Sequence, residues 1–137
     1  MIDETILAKP KKVATAINLS YVAFGIGLIN SYVFLLGLES TTQQKIKPIL
    51  IAVLTQAFLY FLITQINAGK KWARTISLVS FVFGGISTFL TMDRFLEGDL
   101  LTELISFVIG ILQLSALILL YSKEGNAWFN LKNAPLT

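Results

Sequence analysis

Four apolar runs, each about as long as a lipid bilayer is thick, constrain this chain more than any other feature. They cover residues 13–38, 48–66, 72–92 and 100–121. A helix crossing the hydrocarbon core needs ~20 mostly apolar residues. None of the four carries a charge in its middle. The chain is 55% hydrophobic and only 14% charged. Soluble domains are about 25% charged, and a water-soluble domain of 137 residues would have too little interior to hide so much apolar surface. The expected fold is all-α and integral to a membrane: a four-helix transmembrane bundle forming one domain over residues 1–137, with residues 122–137 as a tail.

The basic residues set an orientation. Lys9, Lys11, Lys12, Lys70, Lys71, Arg74, Lys123 and Lys132 fall on one side of the four spans, and Lys45, Lys47 and Arg94 on the other. Most acidic residues near the spans, among them Glu39, Asp93, Glu97, Asp99 and Glu103, lie towards the poorer side. Lys and Arg are retained on the cytoplasmic face, so both termini and the second loop are expected there. That loop reads "NAGKKWAR". Gly69 is expected to end the second helix in a left-handed conformation. Lys70, Lys71 and Arg74 are expected among anionic headgroups, with Trp72 at the interface. The tail repeats the theme: Ser122 would cap a short surface helix whose Trp128, Phe129 and Leu131 dip into the headgroup layer. These residues read first as topology anchors, and second as contacts for headgroups or a partner.

Other punctuation agrees. Pro10 precedes the first span, and Pro48 is expected to open the second, where a missing N–H costs nothing. Gly125 is expected to end the fourth helix, and Gly98 lies in the third turn. A cleaved signal peptide fits poorly. The first run is too long, holds Asn18 and Asn30, and is followed by no small-x-small site.

The two halves resemble one another. Ala16, Ser20, Phe24, Gly27 and Gln56 recur 57 residues later as Ala73, Ser77, Phe81, Gly84 and Gln113, and each half ends its hairpin in Gly-x-x-Trp. The pattern points to a duplicated helical hairpin with both copies in one orientation. Gln56 and Gln113 would then lie near mid-bilayer, where a carboxamide needs a partner. With Asn30 and Ser87 they are the candidate intramembrane polar contacts. The first reading is packing glue between helices, and the second is the lining of a polar path. Ala23-x-x-x-Gly27, Ser80-x-x-x-Gly84 and Ser106-x-x-x-Gly110 mark faces where helices are expected to approach closely.

Much chemistry is missing. The chain has no His and no Cys, which removes thiol chemistry, disulfides and the usual zinc ligands. It shows no phosphate-binding loop and no dinucleotide fingerprint. Glu103 sits in the first turn of the fourth span, where an acid complements the helix dipole. Asp93, Arg94 and Glu97 read as an outer charge cluster. No catalytic, cofactor-binding or metal-binding residue is assigned and no cofactor is expected. Nucleic-acid binding is disfavoured, because the basic residues form no groove-reading motif.

Three places resemble a family of small, uncharacterised bacterial inner-membrane proteins with four spans. "KPKKVATAINL" is similar to that family's Pro-x-x-Val-x-x-Ala-x-x-Leu opening. "GKKWAR" is similar to its basic-Trp-Ala-Arg start of the third span, and "LLYSKEGNAWF" to its Ser and Trp-Phe ending. The resemblance implies a multi-pass protein of the bacterial inner membrane and transfers no activity. The expectation for function is a non-enzymatic interaction or accessory protein. Its partners would be the lipid bilayer and either a second copy in a homodimer or another membrane protein. The alternative is a small dimeric transporter or channel for a small solute.

Overall fold

The computed structural model describes residues 8–37, 42–90 and 100–134, with the backbone alone at residues 42–45. Among the described residues five α-helices follow in order: α1 (Lys11–Gly37), α2 (Thr42–Asn67), α3 (Lys71–Leu90), α4 (Leu100–Leu120) and α5 (Lys123–Lys132). Each of the four apolar runs becomes one long helix, apolar and long enough to cross a membrane. Successive helices run in opposite directions and close into a ring. α1 packs most extensively on α4 and also on α2, and α3 completes the ring with thinner contacts to α2 and α4. The chain is an all-α, multi-pass membrane protein built as a four-helix bundle.

The close-packed core sits at one end. Val13, Ala16 and Ile17 of α1 meet Leu62, Ile63 and Ile66 of α2, Ala73 of α3, and Ala116 and Leu120 of α4. The α1 start, the α2 end, the α3 start and the α4 end all converge there, and so do most of the described lysines. We call this the basic end. Towards the far end the helices turn large apolar side chains outward. Ile29, Phe83, Phe89, Leu90 and Leu100 are each more than two-thirds exposed. Apolar surface on this scale exceeds what monomeric soluble proteins leave to water, and acyl chains cover it without cost.

Helix ends follow local chemistry. Pro10 stands just before α1 and accepts the first intrahelical bond, from the Ala14 N–H at 3.0 Å. α2 ends in a Schellman motif: the Gly69 N–H donates to Ile66 O and the Lys70 N–H to Gln65 O. Gly69 has φ +80°, as expected, and an added Cβ would meet Lys132 and Trp128 at 3.0–3.2 Å. Both the backbone conformation and the close approach of α5 require glycine here.

Two expected boundaries are corrected. Pro48 does not open α2, which begins at Thr42 and holds Pro48 in its interior. The polar stretch "TQQKIK" is rich in good helix formers, so the helix extends past the apolar run. Pro48 supplies no N–H to the ladder there. Gly125 does not end the fourth helix. α4 stops at Leu120, and Gly125 lies inside α5, where its N–H donates to the Ser122 hydroxyl at 3.2 Å. Ser122 thus caps α5, as expected. A Cβ on Gly125 would lie 2.4 Å from the Leu120 carbonyl oxygen. The absent side chain is what lets α5 fold back against the end of α4. The Asp93, Arg94 and Glu97 cluster, and Gly98, lie outside the described residues.

Candidate functional site

Two places carry polar side chains in an organised way: the basic end, and a cavity inside the bundle.

At the basic end α5 closes the bundle like a plate. Trp128 is 3% exposed and Phe129 fully buried, with their rings edge-to-face at 4.9 Å. Both were expected in the headgroup layer. They point instead into the core, while Leu131 faces outward. Burying a Phe side chain stabilises by about 1.5–3 kcal/mol relative to water. The open end of a four-helix ring offers these rings a ready-made apolar site.

Arg74 is likewise not turned to headgroups. It lies half-buried between the Tyr121 and Phe129 rings, its guanidinium carbon 4.2 Å and 4.7 Å from their centroids. One amino group donates to Leu120 O at 3.1 Å and to Asn126 Oδ1 at 2.8 Å. Asn126 in turn donates to Tyr121 O at 2.9 Å. The guanidinium therefore sits at the C-terminus of α4, where the helix dipole and unpaired carbonyls favour a cation. Its Nε is buried without a partner. Asn133 adds a second tie, donating to both Gly69 O and Phe129 O at 2.7 Å. Lys9 bonds Asn67, and Lys12 pairs with Glu124 at 2.8 Å. Around this plate Lys9, Lys11, Lys12, Lys70, Lys123 and Lys132 are exposed, with Lys71 partly so. Trp72 is 43% exposed, with its ring 6.0 Å from Phe61.

Inside the bundle, a cavity of about 360 Å³ lies between the four long helices. Leu62, Ile66 and Leu120 floor it at the basic end. Phe24 and Phe81 form apolar walls, and Tyr60 stacks against Phe24 at 5.8 Å behind one of them. Ser20, Ser77, Ser80, Ser106, Thr88 and Gln113 add polar atoms, and among the described residues no charged side chain lines the cavity. Ser20, Ser106 and Thr88 donate to carbonyls of their own helices, at Ala16, Thr102 and Gly84. Such a site suits a neutral guest. Among the described residues no cluster could hold a metal ion.

The four candidate intramembrane residues separate. Gln56 donates to the Ser31 hydroxyl at 3.1 Å and so ties α2 to α1, while its own Oε1 is buried without a partner. Gln113 lines the cavity. Asn30 lines a second recess of about 340 Å³ near Ser31, Pro48 and Thr102. Ser87 is exposed on α3 and outside both linings.

The small-residue faces also diverge. A Cβ on Gly27 would touch Gln56 Nε2 at 3.8 Å, so this face approaches α2. Cβ atoms on Gly84 or Gly110 would meet nothing within 4 Å. Those two faces were expected to bring helices together, and they line the cavity instead.

Some residues matched by the 57-residue spacing share a setting and others do not. Ala16 and Ala73 are both fully buried, while Ser20 with Ser77, and Phe24 with Phe81, line the same cavity. Asn126, Asn133 and Tyr121 carry the basic-end ties and were not singled out from sequence. Only the tertiary meeting of α3, α4 and α5 gives them partners. No protein-family model, curated protein or solved structure matches the chain.

Proposed function

We propose that this is a non-enzymatic accessory protein of the bacterial inner membrane, with the basic end in the cytoplasm, which presents a preassembled basic plate to a partner at the membrane surface. The observation that supports the reading is the way α5 is tied down. Arg74, Asn126 and Asn133 join it to α3, α4 and the α2–α3 turn. The surrounding lysines remain exposed on a fixed frame. A rim ordered before binding loses little freedom when a partner arrives. The excess of Lys and Arg at this end supports the cytoplasmic orientation. The resemblance in "KPKKVATAINL", "GKKWAR" and "LLYSKEGNAWF" supports the inner membrane.

Co-purification from native membranes tests the proposal. The expected result is a stoichiometric partner that is lost when Lys70, Lys123 and Lys132 are changed to Glu. A purified protein that turns over a small substrate would overturn it, as would a reporter fused behind Thr137 that is active only outside the cytoplasm.

The cavity favours a second reading, a small dimeric carrier or channel. Its floor of Leu62, Ile66 and Leu120 would have to part for a solute to cross. Liposome flux that survives both Gln56→Leu and Gln113→Leu would remove the polar-path version of this reading.

A further inference from the structure

Gln56 and Gln113 stand 57 residues apart at corresponding positions of the two halves, and among the described residues only Gln56 makes a hydrogen bond. In the first hairpin Gln56 donates to Ser31, across a helix contact that Gly27 keeps close. The corresponding residues of the second hairpin are Gln113, Thr88 and Gly84. Here the helices stand apart. Gly84 faces open space, as does Gly110 on α4, and all three corresponding residues line the cavity. Gln113 makes no hydrogen bond among the described residues and lines the cavity. Within the hydrocarbon layer an unmatched carboxamide is costly.

We propose that the cavity binds a neutral single-chain amphiphile whose hydroxyl-bearing end bonds Gln113, much as Ser31 bonds Gln56. Four observations select this occupant. No charged side chain lines the cavity among the described residues, which favours a neutral guest over a carboxylate or an ammonium group. The Phe24 and Phe81 walls call for an apolar body. The volume of about 360 Å³ falls at the small end of ligand pockets. Gly84, Thr88 and Ser106 are exposed as well as cavity-lining, so among the described residues the cavity opens sideways between α3 and α4, towards the surface that a bilayer would cover. Such a site goes beyond both functional readings above, since neither specifies a ligand.

The test uses the full chain in phosphatidylcholine nanodiscs and a diazirine-bearing monodecanoylglycerol as the probe. Labelled positions are mapped by mass spectrometry. The expected result is saturable labelling of α3 and α4 around Gly84 and Gly110. Unlabelled monodecanoylglycerol should compete, while decane and decanoate compete about 10-fold less well, the discrimination one or two lost hydrogen bonds supply. Gln113→Leu and the cavity-filling Gly110→Leu should each cut labelling about 10-fold, with Gln56→Leu unchanged as the control for a folded bundle. Labelling spread over the lipid-facing surface would overturn the proposal. So would equal labelling of the Gln113→Leu variant, competition by glycerol alone, or protection of α3 and α4 only by dimer formation.

Discussion

Arg74 of α3 donates to Asn126 of α5 at 2.8 Å, and the same amino group reaches the last carbonyl of α4, at Leu120. One side chain thereby joins three helices, and two aromatic rings shield it from water. Hydrogen bonds from a charged group contribute about 1.5–3 kcal/mol each, and the ring contacts about 0.5–2 kcal/mol.

Arg74→Ala is expected to release α5. The loss should be about 2–4 kcal/mol, below the simple sum because the contacts act together. Hydrogen exchange of the amides from Lys123 to Lys132 should rise far more than that of α4. Arg74→Lys should recover less than half, since an ammonium cannot reproduce a planar group stacked between rings. Unchanged protection in the alanine variant would show that burial of Trp128 and Phe129 alone holds the plate.

Gly125→Ala tests the close approach of α5 to α4. The new methyl would fall 2.4 Å from a backbone oxygen, with no flexible atom to yield. We expect a loss of about 1–3 kcal/mol. Gly85→Ala is the matched comparison: nothing lies within 4 Å of its Cβ, so helix propensity alone should give a gain of up to ~1 kcal/mol. A thermal melt in detergent that ranks the two variants in the opposite order would refute this geometry.

The Gln56–Ser31 bond predicts an asymmetry. Ser31→Ala leaves a buried carboxamide with neither end satisfied, and it should destabilise by about 1–2 kcal/mol. Gln56→Leu removes both the donor and the already unpaired Oε1, so it should come out near neutral, within about 0.5 kcal/mol. Unfolding by steric trapping in bilayers reads both. Equal losses in the two variants would mean that Oε1 has a partner after all.

The Lys12–Glu124 pair should matter little. Both side chains are about half exposed, and exposed ion pairs are worth at most ~1 kcal/mol. Glu124→Gln is expected to lower stability by less than about 1 kcal/mol, including its first-turn interaction with the α5 dipole. A larger effect that persists in high salt would point to a role the geometry does not show.

The sequence alone determined the number of crossings, their alternating direction, the left-handed turn at Gly69 and the cap at Ser122. Each of these depends on short-range chemistry: lipid accepts an apolar helix, glycine tolerates positive φ, and a serine hydroxyl satisfies a free N–H. Tertiary structure decided which way the side chains point. Trp128, Phe129 and Arg74 read equally well as membrane anchors or as core, because acyl chains and the bundle interior are alike in polarity. Gln56 and Gln113 sit at matching positions in matching helices, and yet one closes on a serine and the other faces a cavity. Hydropathy records how much a residue prefers to leave water. The spacing between α3 and α4, which separates those two fates, arises only when all four helices pack around one another.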